Sequence, residues 1–175
     1  MRYKSILAAL LLMMALPALA GSNWQPTDKY SIRFSSSDAS GIFKTFNGTL
    51  VFDEQNPAAS RFTAVIDVAS INTGNGLQNK HAKGAEWFDA ATYPQIRFTS
   101  EKIAKAGNGY QATGTLEMHG VKKQVTIPFT FQRKGNTGTF SGSFSVNRND
   151  YHIGKAGNKV SEAIKVDISV PVVQK

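Results

Sequence analysis

The sequence predicts an all-β protein: an eight-stranded antiparallel up-and-down barrel with one or two short helices between residues 72 and 94. Three observations carry this prediction. Apolar residues recur at every second position in many segments, turn residues separate those segments, and one long stretch departs from the alternation. Side chains on a strand point alternately to its two faces, so each alternating segment has one apolar and one wet face. Several such strands in a short chain imply a sheet curled around an apolar interior.

Strands are expected at 29–37, 42–53, 61–70, 95–104, 109–119, 122–134, 137–148 and 161–173. The first two bring Phe34, Phe46, Gly48 and Phe52 to the inner face. The third alternates through Phe62, Ala64, Ile66 and Val68, and the fourth adds Phe98. The fifth carries Tyr110, Ala112, Gly114, Leu116 and Met118, and the sixth Val125, Ile127, Phe129 and Phe131. The seventh carries Phe140, Gly142, Phe144 and Val146; the last has Ile164, Val166, Ile168, Val170 and Val172. Ser40-Gly41, Gln55-Asn56-Pro57, Gly107-Asn108-Gly109, His119-Gly120 and Gly135-Asn136 punctuate them as turns.

Between the third and fourth strands the period changes. Leu77, His81 and Gly84-Ala85 fall at helix-like spacings, and Trp87-Phe88 and Tyr93-Pro94 flank Asp89-Ala90-Ala91. A loop this long in a compact domain is usually a lid or a binding loop. Up-and-down connection places alternate loops at opposite ends. The turn near Ser40, the long segment, the His119-Gly120 turn and the 149–160 loop therefore share one end. That end, with His81, His119, His152, Trp87, Tyr93 and Tyr151, is the expected mouth.

The start of the chain reads differently. Arg2 and Lys4 precede an apolar run from Ile6 to Leu16, then Pro17 and Ala18-Leu19-Ala20. This is the layout of a secretory signal peptide, with cleavage expected after Ala20. The run is too short to span a bilayer as a helix. Residues 21–175 are then expected to form a single domain in the bacterial periplasm. The chain has no cysteine, so core and hydrogen-bonded ladder must hold it without disulfides. The net charge of +8 fits an anionic ligand or a transient contact with a membrane surface. No block of like charges suggests a nucleic-acid partner.

The inner faces mix Phe34, Phe46, Phe52, Phe62, Phe98, Phe129, Phe131 and Phe144 with Gly48, Ala64, Ala112, Gly114 and Gly142. Small residues could open a channel, or glycines could serve the bends of a closed barrel. Both readings stand on the residues alone. An outer-membrane barrel would have the same period with the apolar face outward. The alternate face, with Thr113, Thr115, Glu117, Thr126, Ser141, Ser143, Lys165 and Asp167, is that of a water-exposed exterior instead.

Catalytic signals are weak. There is no Gly-x-Ser-x-Gly elbow. Glu86, Asp89 and Asp150 read as loop and capping acids. The three histidines lie on three loops and read as structural or solvated rather than as metal ligands. Lys80, Lys83, Lys122, Lys123, Arg148, Lys155 and Lys159 at the mouth could hold a polar or phosphorylated head group. Lys102, Lys105, Arg133 and Lys134 mark the other end, so charge does not single out the mouth.

Several stretches together resemble the YceI-like family of exported bacterial proteins. They are His81, Trp87-Phe88-Asp89, Tyr93-Pro94 and Phe98-Thr99-Ser100 within residues 81–100; Ser70 to Gly74; the hairpin from Gly114-Thr115-Leu116 to Gly120-Val121-Lys122-Lys123; and Asn147 to Tyr151. The resemblance implies a lipocalin-like barrel that binds a polyisoprenoid or an isoprenoid-tailed quinone in an elongated pore. Many members carry Arg-Asp before the histidine and Leu after it. Here the run is Gln78-Asn79-Lys80-His81-Ala82, so no role of that pair carries over.

The expectation is thus a periplasmic binding or carrier protein, not an enzyme, with no cofactor and no metal. Phe34, Phe46, Phe62, Ile66, Phe98, Leu116, Met118, Phe129, Phe144 and Val166 would line the ligand, with His81 and Trp87 at the entrance. Oligomeric state is open, a homodimer included. Two alternatives accompany this reading: a packed barrel acting through its surface, and an enzyme or metal protein built on the mouth histidines.

Overall fold

A computed structural model describes residues 21–175; the expected signal peptide, residues 1–20, lies outside the described residues. Eleven strands follow in order: β1 (Ser22–Pro26), β2 (Ser31–Ser35), β3 (Ser40–Phe43), β4 (Phe46–Phe52), β5 (Arg61–Asp67), β6 (Ile71–Asn72), β7 (Gln95–Ala106), β8 (Gly109–Met118), β9 (Val121–Lys134), β10 (Thr137–Asn147) and β11 (Ala163–Gln174). One α-helix, α1 (Gly76–Lys83), falls in the aperiodic stretch.

The eleven strands make eight staves. β1 and β2 both pair with β11, one above the other, and form a single interrupted stave. β4 pairs with β1 and β3 with β2, so β3 and β4 form the second. β5 pairs with β4 and β6 with β3, giving the third. β7 to β11 complete the antiparallel order, and the β1–β11 contact closes the barrel. All observed pairings are antiparallel, as up-and-down connection requires.

Three departures from the expected strands exceed a shift of one or two residues. β1 is an additional segment: Ser22-Asn23-Trp24-Gln25-Pro26 offers only Trp24 as an inward apolar residue and so shows no alternation. The expected strand 42–53 is broken at Lys44-Thr45. The third strand ends at Asp67, where the Asp67 carboxylate caps a short 3-10 turn, Val68–Ser70, by accepting from the Ala69 amide.

The interior divides into two halves. At the end with the short turns, an aromatic plug fills the barrel. The Phe52 ring, on a residue only 2 % exposed, lies 4.9 to 5.9 Å from the rings of Phe62, Tyr110, Phe129, Phe131 and Phe140. Phe131 stacks on Phe140 at 4.4 Å, and Trp24 meets Phe131 edge-on. Each such aromatic pair adds roughly 0.5–1.5 kcal/mol beyond its buried area. Gly138 makes room for this stack, since a Cβ there would lie 2.4 Å from the Phe131 ring.

Two of the small inward residues do not open a channel. Gly114 faces the register shift between Ser100 and Lys102, where a Cβ would meet the Thr99 carbonyl oxygen at 2.2 Å. Gly48 lies under the Phe46 ring. Glycine serves close approach at both positions. Ala64, Ala112 and Gly142 do border open space.

Candidate functional site

Above the plug the barrel is hollow. A cavity of about 410 Å³ occupies the half toward the long loops. Its floor is Phe62, Phe129 and Phe140, and its walls are the inward residues of the staves. All twelve residues expected from sequence line it: Phe34, Phe46, Phe62, Ile66, Phe98, Leu116, Met118, Phe129, Phe144 and Val166 on the walls, His81 and Trp87 at the rim. Sequence reasoning missed Ile32, Phe43, Phe88, Ile153, Ile164 and Ile168, which line it too. Ile164 and Ile168 share the alternation of Val166 and were legible. Phe43 and Ile153 are placed by breaks in the pattern and were not. A volume in this range, apolar nearly throughout, is that of a small-molecule site.

The mouth is built by three segments. The first is α1 with its flanks. Asn75 caps the helix by accepting from the Leu77 and Gln78 amides. Asn79 ties it to β6: its carbonyl oxygen accepts from the Thr73 amide at 2.7 Å and from the Thr73 hydroxyl, and its amide donates to Asn72. Lys80, His81 and Lys83 fall in the last turn, the favourable end for cations. Behind the helix, Trp87 and Phe88 turn back over the opening, with the Phe88 amide bonded to the Ala82 carbonyl. Phe88 meets Phe43 edge-on at 6.1 Å.

The second segment, residues 148–162, is organised around Arg148. From sequence Arg148 counts among the mouth cations that could hold a head group, but it is 3 % exposed. Nε donates to the Ser161 carbonyl; the two terminal nitrogens donate to the carbonyls of Ile153, Lys155 and Val160 and to the side chains of Asn149 and Asn158. Guanidinium offers five N–H groups in a fixed fork, and each one is used here. The loop wraps its own oxygens around this cation, so Arg148 is not free to grip a head group.

The third segment is the β2–β3 turn, whose Asp38 reaches the second. Its carboxylate accepts from the Ser37 hydroxyl at 2.6 Å and from both the hydroxyl and the amide of Ser161. These hydroxyls hold the Asp38 carboxyl below its ordinary 3.8.

The histidines share an end but not a site. His81 is exposed at the rim and is the only one that lines the cavity. His119 has left-handed backbone (φ 52°), bonds the Tyr151 carbonyl through Nδ1 at 3.0 Å and lies edge-on to Tyr93 at 4.7 Å. His152 is exposed and ends the 3-10 turn Arg148–Tyr151 with φ 55°. Among the described residues no three His, Asp or Glu side chains stand together as metal ligands. Two of the three loop acids are paired outward: Glu86 with Lys155 at 3.4 Å and Asp150 with Lys123 at 3.7 Å. Burial, with the Asp150 charge second, pushes the Tyr151 hydroxyl above its ordinary range.

Comparison with known proteins agrees with this geometry. Residues 25–172 match the model of the YceI-like domain. A UPF0312 protein of Yersinia pestis (strain Pestoides F) is 33 % identical over 140 residues, 77 % of this chain and 73 % of that protein. Among solved structures, BcnA of Burkholderia cenocepacia superposes with a TM-score of 0.75 at 34 % identity, covering 84 % of this chain and 97 % of BcnA. A polyisoprenoid binding domain of Saccharophagus degradans, implicated in plant cell wall breakdown, shares the fold at a TM-score of 0.67 and 18 % identity, over 89 % of this chain and 99 % of that domain.

Proposed function

The chain belongs to the YceI-like family, and from that premise we propose that it is a binding and carrier protein, not an enzyme, for a polyisoprenoid or an isoprenoid-tailed quinone. The observation that carries this reading is the half-hollow barrel: an apolar cavity of about 410 Å³ with an aromatic floor and a loop-built mouth. Burying a hydrocarbon chain there removes apolar surface from water at about 25 cal/mol per Å², which binds a long tail without any catalytic group. The naming of the Saccharophagus domain as polyisoprenoid-binding supports this choice of ligand over other apolar molecules.

The tail would lie against Phe34, Phe98, Leu116 and Val166, with its polar end toward His81 and Trp87. The compartment proposed is the periplasm, reached by export of a single barrel domain, residues 21–175, after cleavage following Ala20. Native mass spectrometry of protein purified from the periplasmic fraction tests both parts. The expected result is a chain starting at Gly21 that carries a noncovalent lipid mass. A bare polypeptide that takes up no added ubiquinone would end the ligand reading, and a mass retaining residues 1–20 would end the export reading.

A further inference from the structure

The wall of the barrel has a seam. β1 pairs with β4 only from Leu50 to Phe52, and β2 pairs with β3 only as far as Phe43. Between these two ladders, residues 25–30 face residues 44–49, and among the described residues no backbone hydrogen bond crosses. A single side chain closes the gap: the Tyr30 hydroxyl donates to the Lys44 carbonyl at 2.8 Å and accepts from the Phe46 amide at 3.1 Å. One phenol thus replaces a backbone rung.

Outside this gap lies a cleft of about 360 Å³, walled by Gln25, Asp28, Asn47, Thr49 and Thr63. Inside it lies the apolar cavity. Phe46 borders both. Its ring rests on Gly48, where a Cβ would come within 2.9 Å of it, and it meets the Tyr30 ring edge-on at 5.2 Å. One aromatic ring, braced by a phenol that makes two hydrogen bonds, therefore stands between the cavity and the outer cleft.

We infer that this seam is a second entrance to the cavity, with Phe46 as its shutter, Tyr30 as its latch and the outer cleft as the approach for uncharged solutes. Local openings are cheapest where few backbone hydrogen bonds must break, and here only the two made by the phenol stand in the way. The cleft carries amides and hydroxyls with Asp28 as its one charged group, so an anion is disfavoured there. The seam opens onto the same cavity as the proposed lipid site, but its test uses no lipid, so either reading can fail alone.

The chain has no cysteine, which makes single thiols clean reporters. Ala64→Cys places a thiol in the cavity wall on β5, opposite Gly48. Ile127→Cys places one across the barrel on β9. Removing the latch with Tyr30→Phe should speed labelling of Cys at 64 by methyl methanethiosulfonate about tenfold or more, the factor expected for losing the net stability of the phenol's two hydrogen bonds. The thiol at 127 should gain much less, and the anionic sulfonatoethyl reagent should gain less than the neutral one at 64. Unchanged labelling at 64 would overturn the inference, as would equal gains at both positions, which mean general loosening. Equal gains for the neutral and anionic reagents would remove the cleft as the route.

Discussion

The Arg148 guanidinium lies 5.6 Å from the centre of the Trp87 ring, joining the loop that Arg148 organises to the segment that covers the cavity. Gly154 completes the contact: with φ 69°, a Cβ there would strike the Trp87 ring at 2.9 Å. The cation thus holds both sides of the mouth, through hydrogen bonds on one and a ring face on the other.

Replacing Arg148 by Met should strand the carbonyls of Ile153, Val160 and Ser161 together. The Ile153 carbonyl is buried and the other two half-buried; a buried acceptor without a donor costs about 1–3 kcal/mol, so the expected loss is at least about 1–3 kcal/mol in urea unfolding. Arg148→Lys should not restore it, because an ammonium cannot span the same fork. Wild-type stability in either variant would refute this role.

Ala64→Phe should separate binding from folding. Ala64 borders open space, so a ring placed there enters the cavity rather than the packed floor. The circular dichroism spectrum should be unchanged while lipid retained on purification falls by about tenfold or more. Equal lipid in both proteins would place the ligand elsewhere.

The two halves of the interior should respond differently to truncation. Phe52→Ala removes the hub of the plug and should cost about 3–5 kcal/mol. Phe144, half-buried beside the cavity, should cost less than half as much when cut to Ala, because its neighbours already border empty space. Equal costs in denaturant titrations would mean that the upper half is packed in solution.

The contact between Asp38 and Ser161 should depend on pH. The Asp38 pKa lies below the ordinary 3.8 because the Ser161 and Ser37 hydroxyls favour the charged form. A carboxyl whose folded pKa is lowered contributes fully above the unfolded value and loses that contribution as pH falls through the folded value. Hydrogen exchange at the Ser161 amide should therefore stay slow above about pH 4 and quicken below it; in Asp38→Asn this step should vanish. A step of the same size in the variant would assign it to another group.

Much of this was legible in the sequence, for one reason. Period-two alternation decides which side chains share a face, and that sufficed to bring Phe34, Leu116 and Val166, far apart in the chain, to one cavity. Alternation cannot report depth along a stave. Phe129 and Phe131 read alike and both join the plug, yet only Phe129 also borders the cavity. It also cannot report a break: the step between Phe43 and Phe46 sits inside what reads as one strand, and Tyr30, which bridges it, reads as an ordinary strand residue. Arg148 was illegible for a different reason. Its partners are backbone oxygens of the loop that follows, and a carbonyl leaves no trace in residue identity.

The crowding of aromatic rings at one end has an evolutionary consequence. The aromatic pairs are concentrated in the half of the barrel that the proposed cargo touches only at its floor. Substitutions that widen, narrow or re-line the upper half disturb few of those pairs. Cargo choice in such a barrel can drift from one lineage to the next while the melting temperature stays put, and an engineer can redraw the upper chamber residue by residue without first stabilising the scaffold.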